Sequence, residues 1–318
     1  MSDGGFDVRR SETDAILHGC GLHTSGRELL WVRGKDAEPF LEGLLSQTIA
    51  GVAPGAVTRS FLLAPTGKLR ALLFVLHGAG EVGLVTDGGL GSTVEADLTR
   101  FMIRVDVTIE IDSRPMVEMW GPRSGAVLDA TDLPTPEGWE SDPLVARLPF
   151  PLTDEERYLL IGADTSRLVD SGAELVGHAV VEALRIEQGE PVMGRDVDEA
   201  TIPQETGMVG ISVDFDKGCF LGQELVARID SRGHVNRHLR GLVITEDPGP
   251  PSGADLVVGD SVVGRVASVA AAPGRAGSVA LGLVRREVDP GASLEVRWDE
   301  GSTRAVVHEL PIRLDPVR

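Results

Sequence analysis

Aromatic residues are scarce in this chain. They occupy 4% of its 318 positions, with Tyr158 the single tyrosine. Cysteine is scarcer still, at two, Cys20 and Cys219, far apart in sequence. A secreted protein of this size held by disulfides would carry more. Nowhere is there a run of about 20 uninterrupted apolar residues, the length of a membrane helix. The segment Met1–Arg10 lacks the apolar stretch of a secretory leader. These absences predict a cytoplasmic chain with reduced thiols.

Positive charge is also in short supply. Thirty Lys and Arg stand against 49 Asp and Glu, a net charge of -19. Such a surface repels phosphate backbones and anionic lipid, so neither nucleic acid nor a membrane surface is an expected partner. An anionic ligand would need a local basic pocket. What is present has an ordinary globular balance, 42% hydrophobic and 25% charged. That is enough for two or three folded domains.

Residues 1 to about 14 are polar and predict loose order. Glu28–Arg33 reads as a strand, then 36–49 as a helix, with Phe40, Leu41, Leu44 and Leu45 at helical spacing and Asp36 as its N-cap. Strands are predicted over 59–63, 69–76, 81–86, 105–111, 116–119 and 157–161, and helices over 93–101, 123–130, 165–172 and 178–188. Pro, Gly and acids over 131–143 read as a linker. The elements lack the even alternation of a doubly wound sheet, so the fold class is α+β. After about Leu239 the texture changes to short β-branched runs between Gly- and Pro-rich turns. Leu294, Val296 and Trp298 alternate with Glu295 and Arg297, the pattern of a half-buried strand. The expected division is an α+β core of two interlaced subdomains over 1–240 and a small barrel or sandwich over 241–318.

One segment carries candidate chemistry. Val209–Val213 reads as a short strand, Asp214–Gly218 as a turn, and 222–229 as a helix. Cys219 therefore falls in a glycine-flanked loop just before a helix N-terminus. The positive helix end and the nearby Lys217 would both favour its thiolate, the nucleophilic, redox or metal-binding form. A buried, inert cysteine is the competing reading. Lys217 is one of only three lysines, with Lys35 and Lys68, in a chain that otherwise uses arginine.

The stretch Lys217-Gly218-Cys219-Phe220-Leu221-Gly222-Gln223-Glu224 resembles the signature of the YgfZ-type folate-binding family, with Phe220 where many members have Tyr. The resemblance extends through Ala183–Pro191, Gly194-Arg195-Asp196 and Pro203-Gln204-Glu205. It continues past the signature into Val226-Ala227-Arg228, Gly233–Arg237 and Leu239-Arg240-Gly241. It implies a relative of the glycine-cleavage aminomethyltransferase. The implied fold is a tetrahydrofolate-binding α+β core followed by a small C-terminal β-barrel. The implied role is accessory to iron–sulfur cluster assembly or repair, with assembly or client proteins as partners.

The resemblance also places the pterin-binding carboxylate at Glu187. Physics agrees in part: near a helix C-terminus an anion is disfavoured, and the paired donors of a pterin edge would satisfy it. A solvated Glu beside Arg185 is the alternative. Arg228 could hold the glutamyl tail of folate or pair with Glu224 at i, i+4. Gln223 and Glu224 are candidate folate contacts or first-turn capping residues. Cys219 and Lys217 are the candidate reactive residues.

Other features carry less. His18-x-Cys20-x-x-His23 fits no standard zinc site, and no metal is expected. Two cysteines are too few for a permanent four-thiolate cluster. A tetrahydrofolate-dependent aminomethyl or methyl transferase is the alternative function. Against it, Gly67-Lys68-Leu69-Arg70-Ala71-Leu72 has no acid where the glycine-cleavage enzyme carries a catalytic acidic pair. A scaffold that uses folate only for stability is the third reading.

Overall fold

The computed structural model describes residues 3–141, 143–150, 156–246, 249–272 and 276–312. The chain opens with α1 (Asp3–His18), β1 (Gly21–Thr24), β2 (Glu28–Arg33), α2 (Ala37–Glu42), β3 (Val57–Leu63), β4 (Leu69–His77), β5 (Glu81–Thr86), α3 (Gly91–Thr99) and β6 (Thr108–Asp112). Five of these strands form an antiparallel sheet in the order β3-β4-β5-β2-β6. Strand β1 instead belongs to a second sheet, which the chain rejoins later. That part comprises β7 (Met116–Trp120), α4 (Ser124–Ala130), β8 (Trp139–Ser141), β9 (Leu144–Arg147), β10 (Arg157–Ile161), α5 (Thr165–Asp170) and β11 (Glu174–Leu175). Its strand order is β11-β1-β7-β10-β9-β8, with only the β11–β1 pair parallel.

The period-two rule explains how the sheets stack. In β4, Ala71, Leu73 and Val75 point one way and pack with Phe40, Leu41 and Leu45 beside α2, and with Val94 and Leu98 of α3. Phe74 and Leu76 point the other way and meet Trp139, Leu144, Ala146, Leu159 and Ile161 of the second sheet. The far face of that sheet is covered by Val127 and Leu128 of α4 and Leu168 of α5. The result is four layers, helix–sheet–sheet–helix, an α+β core.

Helix α6 (His178–Gln188) links this core to the tail. Val180, Val181 and Leu184 pack on Trp120 and Phe150 of the core. Ala183 and Ile186, on another face, pack on Leu239, Val279, Leu281 and Ile312. Gly189 ends the helix in the left-handed region, φ 74°. A 3-10 turn (Pro203–Thr206), α7 (Val209–Ser212) and α8 (Gln223–Arg232) follow. The tail is a closed antiparallel barrel in the order β12-β15-β14-β13-β16-β17. Its strands are β12 (Arg237–Ile244), β13 (Asp255–Val258), β14 (Ser261–Ala271), β15 (Ser278–Arg285), β16 (Ser293–Trp298) and β17 (Gly301–His308). Leu242, Leu256, Val266, Val284, Leu294, Val296 and Val307 fill its interior.

The structure corrects several local expectations. The polar N-terminal segment is the helix α1, seated by Ala15 and Ile16 and by Glu12, which accepts from Gly177 N at 3.2 Å. The helix expected over 36–49 stops at Glu42, because Leu44 and Leu45 turn inward and Leu45 bridges to Leu62 of β3. Asp36 does not cap it; its side chain accepts from Asp106 N at 2.8 Å. The linker expected over 131–143 contains β8, where buried Trp139 donates to His77 O at 2.9 Å. Val209–Ser212 is one helical turn rather than a strand. No helix among the described residues is long and apolar enough to cross a membrane.

Candidate functional site

Cys219 is exposed and in no disulfide. Its loop wraps the turn at Leu45–Thr48. Ser46 Oγ donates to Ser212 O at 2.6 Å, and Asp214 N donates to Ser46 O at 3.0 Å. Thr48 Oγ1 donates to the Asp214 carboxylate, which also accepts from Asp216 N at 2.8 Å and Lys217 N at 3.3 Å. These bonds, that of Thr48 foremost, hold the Asp214 carboxyl below its ordinary range. On the far side, Leu221 N donates to Gly43 O at 3.0 Å. Phe220 points inward among Phe61, Leu63, Leu69 and Val226, burying a large apolar side chain, a contribution of about 1.5–3 kcal/mol.

Lys217 is the strongest tie. Its side chain is 2% exposed. Nζ donates to Leu45 O at 3.0 Å and Gln47 O at 2.8 Å, and lies 3.2 Å from Glu42 Oε1. Burial lowers its pKa, with the Glu42 charge opposing. The ammonium also sits 5.7 Å from the Phe220 ring centroid. Lys217 thus braces the loop from below.

Two glycines allow the close approach that finishes the loop. Gly222 (φ 80°) begins α8, and a Cβ there would lie 2.6 Å from Ala64 O. Gly67 (φ 77°), in the β3–β4 turn, would carry a Cβ 2.9 Å from Gly222 O. Only glycine accepts both the left-handed backbone and the contact. Gly218 differs, for a Cβ on it would meet nothing within 4 Å.

The remaining candidates are spread out. Gln223 is partly exposed on the first turn of α8, and Glu224 and Arg228 are exposed, with no ion pair between them among the described residues. Glu187 lies partly buried on the last turn of α6, where its carbonyl accepts from Ile312 N at 2.7 Å. Arg185, beside it, points inward. It binds Glu182, Asp196 Oδ2 at 2.8 Å and Ser268 Oγ of the barrel at 2.9 Å. Glu205 takes both arms of Arg237, at 2.8 and 3.0 Å. Much of the motif frame around the Cys219 segment is therefore scaffolding.

A second polar centre lies buried between the two sheets. Glu190 accepts from Arg157 at 2.5 Å, Arg59 at 3.2 Å and Arg27 at 3.3 Å. Arg27 continues to Asp87 and Glu118, both at 3.2 Å. Glu118 also accepts from Ser25 and Trp120. The Arg157 guanidinium lies 4.0 Å from the Phe150 centroid and that of Arg59 lies 4.3 Å from the Phe74 centroid. Burial raises the Glu118 carboxyl, but the Arg27 and Arg157 charges outweigh it and hold it at about 2. Burial lowers Arg59 to about 10 despite Glu190. Sequence reasoning missed this centre. The available signal was a charge inside an apolar strand, as in Met-Val-Glu118-Met-Trp and Arg157-Tyr-Leu-Leu-Ile.

The "tRNA-modifying protein YgfZ" of Klebsiella pneumoniae (strain 342) is 26% identical over 98% of each chain. The "Iron-sulfur cluster assembly factor IBA57, mitochondrial" of Homo sapiens is 30% identical over 90% of this chain and 83% of its own. The chain belongs to the YgfZ-type family. Residues 237–312 of this YgfZ-type chain also match the glycine cleavage T-protein C-terminal barrel domain. The crystal structure of the glycine cleavage system aminomethyltransferase T from Bartonella henselae superposes with a TM-score of 0.86. It covers 96% of this chain and 89% of its own at 23% identity, which establishes a shared fold.

Proposed function

We propose that this YgfZ-type protein is a tetrahydrofolate-dependent accessory factor for iron–sulfur cluster assembly or repair, with Cys219 as its working residue. The observation that carries this reading is the placement of Cys219: an exposed thiol on a loop anchored on either side by Lys217 and Phe220. A relative of similar length is named for iron–sulfur cluster assembly. The cluster is cargo. Cys219 can offer one thiolate to a cluster or client, while Cys20 is buried and takes a bond from Ser124 Oγ. Lys217 fixes the loop and Gly218 leaves its outer side open to a partner.

Residues of this chain fit a reduced folate. Glu187 stands at the negative end of the α6 dipole, which disfavours an anion by about 0.3–1 kcal/mol and makes the paired donors of a pterin edge a good complement. Two buried polar atoms of the central cluster, Arg59 Nε and His23 Nε2, have no hydrogen-bond partner, so the centre suits a polar heterocycle. Arg228, exposed on α8, is available to a glutamyl carboxylate, and Gln223 and Glu224 lie one turn before it. When bound, tetrahydrofolate supplies a nitrogen that carries one-carbon units. A cytoplasmic site of action accords with the free thiols.

A one-carbon transferase is the second reading, favoured by the aminomethyltransferase fold. Against it stands Arg70, which occupies the stretch where an acid is wanted and is held by Asp97 and Glu199.

Calorimetric titration with tetrahydrofolate tests the cofactor. Saturable binding that Glu187→Ala abolishes supports it, and no binding by folded protein overturns it. Restoration of iron–sulfur enzyme activity in a host lacking its own family member tests the rest. Cys219→Ser should fail to restore while still binding folate. Turnover of a methylamine donor would move the reading to the transferase.

A further inference from the structure

A groove of about 720 Å³ runs between the Gly194–Asp198 turn of the core and barrel strands β12, β14 and β15. It takes in none of the residues proposed to hold folate or to work with Cys219. Its apolar surface comes from Val262, 46% exposed, with Leu283 and Ala267 partly exposed beside it. Arginines line it: Arg195, Arg237, Arg265 and Arg285. Arg237 gives two of its N–H groups to Glu205, and the others keep more donors in hand. Arg195 gives one bond to Glu182 at 3.0 Å, and Arg265 one to Asp255 at 3.0 Å. Arg285 lies 3.7 Å from the Glu287 carboxylate, beyond hydrogen-bond reach.

An opposite chemistry sits in the same groove. Asp196 is 3% exposed and lines it. Its Oδ2 is used by Arg185 and Val192 N, while its Oδ1 is buried with no hydrogen-bond partner. A buried carboxylate oxygen left open asks for an N–H or O–H donor. Volume and composition are those of a small-molecule site, largely apolar with a few convergent polar groups.

We propose that this groove is a second ligand site, separate from the folate site. Its ligand is a planar aromatic molecule carrying an N–H donor and an anionic group. The donor meets Asp196, the ring lies on Val262 and Leu283, and the anion meets Arg285 and Arg265. A carboxylate and a phosphate satisfy the arginines by the same fork geometry.

Two probes separate these anions on one ring: indole-3-butyrate and indole-3-glycerol phosphate. Calorimetry on the full chain compares wild type with Arg285→Glu, with Ala267→Phe, which fills the groove, and with Glu187→Ala. The expected result is one-to-one binding of at least one probe. It weakens about tenfold or more in both groove variants and is unchanged in Glu187→Ala. The probe that binds assigns carboxylate or phosphate, and binding of both assigns the shared anionic chemistry. The proposal is overturned if neither probe binds folded wild type at about 1 mM. It is overturned equally if both groove variants bind with full affinity, or if Glu187→Ala alone removes binding.

Discussion

The polar centre between the sheets and the Cys219 loop are built on opposite plans. In the centre, Arg27, Arg59 and Arg157 meet Asp87, Glu118 and Glu190, all at most partly exposed, and the charges satisfy one another. In the loop, the bonds run inward from its ends, and the middle, Gly218 and Cys219, is left facing out. A network whose charges pair with one another supports the fold, even though Arg59 Nε and His23 Nε2 stay open. A loop that is rigid at its base and open at its tip keeps a reactive group available. The contrast separates residues whose loss should cost stability from those whose loss should cost function.

The sharpest break is Glu190→Ala. It strips a carboxylate from three arginines, two of them almost wholly buried, and should cost about 3–5 kcal/mol, read from urea denaturation. A next, slightly smaller effect comes from pH. Glu118 titrates at about 2 in the folded chain, below the ordinary 4.5. Its contribution, about 3 kcal/mol, is complete above pH 4.5 and is lost as pH falls toward 2. The melting temperature should fall across that window, and Glu118→Gln should flatten the fall. An equal slope in the variant would mean that other carboxylates carry it.

The loop gives smaller numbers. Gly222→Ala forces a Cβ against Ala64 O in a left-handed backbone, and about 1–3 kcal/mol should be lost in thermal unfolding. Its thiol should also react at a different rate with a small disulfide reagent, because the base of the loop has shifted. Cys219→Ser is the least costly to the fold, within about 0.5 kcal/mol of wild type. Its effect should be confined to restoring iron–sulfur enzymes in cells. A large stability loss from this change would erase the contrast between the two regions.

Much of the fold was legible where local signals agree with tertiary ones. The barrel showed as alternation in Leu294–Trp298, and α6 as an apolar helical face ended by Gly189. The signals failed where distant contacts decide. Leu44 and Leu45 keep helical spacing, yet β3 draws Leu45 into a bridge with Leu62. Val209–Val213 alternates like a strand, yet the left-handed Gly207 and the bond from Asp214 N to Ser46 O leave it a single turn. The glycine-flanked position of Cys219 was visible in the sequence, and its exposure followed. Lys217 was not: the sequence places it two residues from the thiol, whereas its ammonium goes to carbonyls at 45 and 47. A buried charge finds its partners through the fold, and spacing along the chain does not reveal them.

The braces of the Cys219 loop have a consequence for how the chain comes into being. Lys217 reaches back 172 residues to Leu45, and Asp214 reaches back 166 to Thr48. Closing segments so far apart carries an entropic cost that local pieces of the chain cannot offset by themselves. The thiol therefore reaches its working posture only after the first sheet and the segment before α8 have met. A chain that ends before Asp214 and Lys217 lacks the ties that brace the loop. The thiol's posture is therefore a property of the assembled fold, which local sequence around Cys219 does not supply by itself.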